Sequence, residues 1–176
     1  YLEIYNEQVF DLGADRAKRE LKYNSKLDAF YVDGLQERVA KGAAELNTVR
    51  SQGEAAKKMG VSNLNEHSSR SHSVCRVVLR DADGAELGRL DLVDLAGSEW
   101  AADREQHSAE RQREGAEINT SLMTLKACMR SAMAEGPGGE AATRLPYRQH
   151  ALTKLLKDSF TGAEARTVLL ATLSPS

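Results

Sequence analysis

The chain opens on "YLEIYNEQVF", where Leu2, Ile4, Val9 and Phe10 interrupt a polar background at near-alternate spacing. Strand side chains change face at every residue, so this pattern predicts a short strand and its continuation. The polar "DLGADRAKRE" that follows predicts a turn at Gly13. "AFYVDGL", rich in aromatic and branched residues, predicts a strand ending at Asp33 and Gly34. From Ala43 to Met59 the apolar positions Ala44, Leu46, Val49, Ala55, Ala56 and Met59 predict a helix. Gly53 weakens its middle and Gly60 stops it. Residues 73–80 and 85–93 predict two strands, and the "DADG" between them is a hairpin signal. A polar stretch, residues 100–115, precedes Ile118, Leu122, Leu125, Cys128, Met129 and Met133, whose spacing predicts an amphipathic helix. "EGPGGEAATRLP" breaks that helix. A shorter helix is expected over residues 148–160 with Gly162 beyond it, and "TVLLATLS" predicts a buried central strand.

Strands and helices thus alternate, which predicts a layered α/β domain with a central sheet flanked by helices. The 176 residues, 41% hydrophobic and 28% charged, suffice for one domain with its own core. A net charge of −2 excludes bulk attraction to nucleic acid or an anionic membrane. The sequence holds no apolar run of about 18 residues that would span a bilayer. Cys75 and Cys128 lack metal-ligand spacing and read as reduced, apolar packers in a cytoplasmic protein.

Two segments carry chemistry: "NEHSSRSH", residues 65–72, and "DLAGSE", residues 94–99. The predicted hairpin joins them, so both can lie at one sheet edge. A strand of apolar residues ending in a carboxylate and then glycine suits a nucleotide triphosphate site. The carboxylate holds Mg²⁺ through water, and the glycine N–H approaches the terminal phosphate unobstructed.

Together these segments resemble the two switches of the kinesin motor superfamily. Further blocks follow in the family's order: "YLEIYNEQVFDL", "VDGLQERV", "EGAEINTSL", "LPYRQHALTKLLKDSFTG" and "RTVLLATLSPS". "EGAEIN", "LKACMR" and "DSFTG" are most similar to the internal-motor kinesins that depolymerise microtubules. The resemblance implies a P-loop NTPase-like core, with ATP and Mg²⁺ as ligands. It implies that Ser69 and Asp94 serve the metal, and that Asn65, Ser68, Ser69 and Gly97 face the nucleotide. Glu99, Arg70 and Ser68 would be catalytic, with Arg70 and Glu99 forming a switch-to-switch ion pair. His67 and His72 read as packing or hydrogen-bonding residues rather than bases.

The resemblance also implies a microtubule partner, a cytoskeletal and spindle location, and a parent whose oligomeric state, such as a dimer, lies outside this sequence. The cations available for an acidic polymer are Arg111, Arg113, Lys126, Arg130, Arg144, Arg148, Lys154 and Lys157. Across residues 101–160, however, nine Lys or Arg face eight Asp or Glu. The family's "INKSL" appears here as "INTSL", and its "SKLT" as "HALT", with Thr120 and Ala151 replacing lysines. Weaker electrostatic steering to the polymer is therefore expected.

No GxxxxGK[ST] phosphate loop occurs in the chain. The expectation is that residues 1–176 form the C-terminal half of a motor domain, inactive alone, belonging to an ATP-driven motor or depolymerase. The other reading is a truncated, catalytically inactive kinesin-like binding module. If the central sheet is shared with another half, the strand at residues 1–10 and "TVLLATLS" are expected to lack neighbours and expose apolar edges.

Overall fold

The computed structural model describes residues 1–59, 70–97, 109–135 and 146–171. Strands β1 (Leu2–Tyr5), β2 (Gln8–Asp11), β3 (Ala17–Arg19), β6 (His72–Arg80) and β7 (Glu86–Asp94) form one antiparallel sheet in the order β3-β2-β1-β6-β7. Strands β4 (Leu21–Asn24) and β5 (Ala29–Val32) form a separate hairpin. The helices are α1 (Ala43–Met59), α2 (Ala109–Glu135), α3 (Ala151–Leu155) and α4 (Lys157–Thr161), with a 3-10 turn at Pro146–Arg148.

The opening alternation makes two strands, not one continued strand. Asn6 and Glu7 both adopt positive φ, 48° and 58°, which turns β1 back onto β2 with Tyr5 opposite Gln8. This two-residue geometry matches the right-handed twist of a hairpin. Its usual asparagine is present, but glutamate replaces the usual glycine, so the turn is hard to read from sequence.

The polar stretch after it holds strand β3, which no alternation predicts. Its stability comes from charge: Arg16 donates to Glu3 at 2.7 Å and lies over the Phe10 ring at 4.5 Å. Asp11, fully buried, accepts the Gly13 and Gln36 N–H groups at 2.9 and 2.8 Å and faces Arg19 at 3.6 Å. Buried carboxylates so satisfied do not carry the desolvation cost of bare ones.

β1 is paired on both sides, with Leu2 opposite Asp11 on β2 and opposite Val74 on β6. The expectation that residues 1–10 would form an unpaired edge is therefore wrong. Leu2, Ile4, Val9 and Val74 point to one face and pack with Leu125 of α2 and with Ala151, Leu152 and Leu155 of α3. Glu3, Ser73 and Asp94 alternate to the other face, as their register requires. There α1 covers the sheet: a Cβ on Gly53 would overlap the Tyr1 ring.

α1 and the β6–β7 hairpin fall where the hydrophobic pattern puts them. α2 begins earlier than expected, at Ala109, because its first turns are polar and only one stripe is buried. The predicted helix over residues 148–160 is divided: the 3-10 turn ends at Arg148, and α3 and α4 meet at Leu156, whose φ of −94° and ψ of 2° leave the helical range. "TVLLATLS" is not a buried strand over its described part. Val168 and Leu170 are 82% and 87% exposed, and among the described residues no strand pairs with them. A strand that is apolar on both faces needs neighbours on both sides.

Candidate nucleotide switch site

The β6–β7 hairpin brings the two motif segments together. Ser73 lies opposite Asp94, so the residues just before β6 and just after β7 emerge side by side at one end of the sheet. Arg70, Ser71 and His72 arrive on one side, and Asp94, Leu95, Ala96 and Gly97 leave on the other. Asn65, Ser68, Ser69 and Glu99 lie outside the described residues, as does His67.

Arg70 is 8% exposed, and its Nη1 donates to Glu114 Oε2 on α2 at 3.1 Å. The expected partner Glu99 lies outside the described residues; the contact with Glu114 anchors the first segment to α2. The sequence holds a signal for it. Glu114 lies four residues before Ile118, and Ile118, Leu125 and Cys128 form the buried stripe of α2. A carboxylate on such a stripe needs a buried partner.

His72 joins three elements. Its Nδ1 accepts the Ala96 N–H at 3.0 Å, so the ring proton sits on Nε2, 3.0 Å from the Ser121 Oγ of α2. Ser121 in turn donates to the Ile118 carbonyl at 2.7 Å. The chain of bonds runs from the backbone before Gly97, through the end of the first motif, into α2. Burial pushes the His72 imidazole down to about 4, opposed by the charges of Glu7 and Asp94. It is thus neutral near pH 7, in keeping with its reading as a hydrogen-bonding residue.

Asp94 ends β7 with its side chain 78% exposed, and its carboxylate is 3.8 Å from the buried Lys57 ammonium of α1. An exposed carboxylate held by one loose ion pair keeps oxygens free for water. Gly97, three residues on, presents a main chain without a Cβ. One open carboxylate beside an unobstructed backbone suits a hydrated Mg²⁺ next to a phosphate.

The cysteines behave as packers. Burial raises the Cys75 thiol and pushes Cys128, fully buried on α2, up to about 11. Neither is poised as a thiolate.

The cations expected on the polymer-binding face differ in availability. Arg113, Lys126 and Arg130 are exposed on α2, whose range also includes Arg111. Lys154 is half-buried on α3. Arg148 lies 4.6 Å over the Tyr23 ring of β4, and Lys157 donates to the Asp28 carbonyl at 2.6 Å and pairs with its carboxylate at 2.7 Å. These two therefore bind the β4–β5 hairpin; Arg148 remains exposed, whereas the Lys157 side chain is only 11% exposed. Arg144 lies outside the described residues.

A family profile described as "Kinesin motor domain" matches residues 1–176. Diatom spindle kinesin-1 of Cylindrotheca fusiformis is 38% identical over 177 residues, spanning 99% of this chain and 27% of that protein. Kinesin-like protein KIF24 of Homo sapiens is 38% identical over 176 residues, spanning 100% of this chain and 12% of that protein. The chain therefore covers about a quarter or less of these relatives. Among solved structures, a C-terminal motor and motor homology domain of Kar3Vik1 superposes with a TM-score of 0.73 at 31% identity, over 93% of this chain and 42% of that one. A second, from mutants described as revealing a signalling pathway for activation of the kinesin motor ATPase, gives 0.70 at 30% identity, over 93% and 46%.

Proposed function

Because the chain belongs to the kinesin motor domain family, we propose that it supplies the two nucleotide-sensing switches and the microtubule-facing helices of an ATP-dependent microtubule motor or depolymerase. The observation that carries this reading is the buried junction at the end of the β6–β7 hairpin. There Arg70 meets Glu114, and His72 bonds both Ala96 and Ser121.

In this reading Ser68, Ser69 and Asn65 face the nucleotide, and Gly97 reports the terminal phosphate through its N–H. Ser69 and, through water, Asp94 hold Mg²⁺, which when bound neutralises charge on the phosphates. Glu99 orders the attacking water, and Arg70 closes the site when both switches are in place. Any shift of Ala96 or Arg70 is passed to α2, the helix carrying Arg111, Arg113, Lys126 and Arg130. Nucleotide state is thereby coupled to the polymer-binding face. Arg144, Arg148, Lys154 and Lys157 extend that face.

The similarity of "EGAEIN" and "LKACMR" to internal-motor kinesins supports depolymerisation as the output. A microtubule and spindle location, and a phosphate loop elsewhere in the protein, belong to the same reading. The test is ATP turnover by the protein expressed at the full length its gene encodes, with and without polymerised tubulin. Turnover stimulated by the polymer is expected. A full-length reading frame with no GxxxxGK[ST] and no turnover would instead assign a catalytically inactive binding module.

A further inference from the structure

At the end of β1 that pairs with His72, three residues remote in sequence converge. Glu7 lies in the β1–β2 turn, Glu117 on α2, and His150 just before α3. One potential ligand atom from each lies within 4.8 Å of the others. We propose that these residues form a binding site for a divalent transition metal of the zinc class, tying the turn, α2 and α3 together.

The distances suit the chemistry. His150 Nδ1 and Glu7 Oε1 are 3.1 Å apart. Two ligands on one tetrahedral zinc, at bond lengths of about 2.0–2.1 Å, are separated by about 3.3 Å. A metal can therefore take the place of the proton between them with little movement. Glu7 is already fixed, because its Oε2 accepts the Ala151 N–H at 2.8 Å. Glu117 is exposed and supplies the third ligand by side-chain rotation, and water completes the tetrahedron.

Charge points the same way. Two carboxylates approach across a single imidazole, and among the described residues Glu117 has no ion-pair partner. Like charges so placed repel, and a cation between them relieves the repulsion. Position 151 matters too. The family pattern "SKLT" would put a lysine beside this point, whereas "HALT" puts His150 and the buried Ala151 there. One substitution adds a ligand and the other removes a cation that would oppose the metal. The site is thus a property of this chain rather than of the family pattern, and it stands or falls independently of the nucleotide chemistry.

The test is titration of the chelator-treated, full-length protein with Zn²⁺, followed by calorimetry and thermal unfolding, in the absence of nucleotide and tubulin. Saturable binding is expected, with Tm rising by about 5 °C at 100-fold excess over the dissociation constant. His150→Ser, which restores the family residue, and Glu117→Gln are each expected to weaken binding by at least about tenfold. With Co²⁺ the expected spectrum is that of a four-coordinate nitrogen and oxygen site. Absence of Zn²⁺ binding, equal binding by both variants, or a thiolate charge-transfer band from Cys75 or Cys128 would each overturn the proposal.

Discussion

At His72, burial and a fixed tautomer act on a single side chain. An unfolded histidine titrates near 6.5, and the folded one near 4. Between those values the unfolded chain binds more protons, so stability rises with pH. The contribution is fully present above about pH 7 and is lost as pH falls from 6.5 towards 4, by about 3 kcal/mol in all. Protonating Nδ1 would also replace the acceptor of the Ala96 N–H with a donor. The expected result is that the urea midpoint falls on acidification, and that His72→Asn, which keeps one acceptor and one donor, flattens the slope. Equal slopes in the two proteins would contradict the assignment. Arg70 and Asp94 were legible from their motifs, but the partner Glu114 and the link to Ser121 were not. Those partners belong to a helix 40 or more residues away in the chain. Only the placement of Glu114 and Ser121 on the buried stripe of α2 hints at them.

Among the elements, α1 shows how a residue can be read correctly for its propensity and yet serve another purpose. Gly53 costs a helix about 1 kcal/mol relative to alanine. Here it admits the Tyr1 ring against the helix backbone, because an added Cβ would overlap that ring. Gly53→Ala is therefore expected to lower stability by about 1–3 kcal/mol despite its better propensity. Thermal or urea unfolding measures the sign directly; a gain of stability would show that α1 and β1 do not pack as described. β6 and β7 were legible because their alternation and the "DADG" turn agree. β3 was not, since its residues Ala17, Lys18 and Arg19 show no apolar alternation. Its partners Glu3 and Asp11 become visible only once the sheet is assembled. The division of the last helix at Leu156 likewise has no glycine or proline to announce it.

In the whole molecule, the sheet ends at β7, where Leu87, Leu90 and Leu92 are 64%, 57% and 51% exposed. Val168, Leu169 and Leu170 are also uncovered. Apolar edges of this kind need a covering layer, and the chain spans 42% to 46% of the solved motor chains it superposes on. The layered α/β class was legible from the alternation of patterns, whereas the exposure of the final apolar run depends on neighbours that local sequence does not encode. In the proposed function the switches act within a larger core and turn about the β6–β7 junction, and this junction times ATP hydrolysis for the polymer-binding face. That role is tested most directly by comparing the full-length protein with its Glu99→Ala variant for ATP turnover on polymerised tubulin and for nucleotide binding. Polymer-stimulated turnover is expected nearly to vanish while nucleotide binding is largely retained; unchanged turnover in the variant would refute the role given to Glu99.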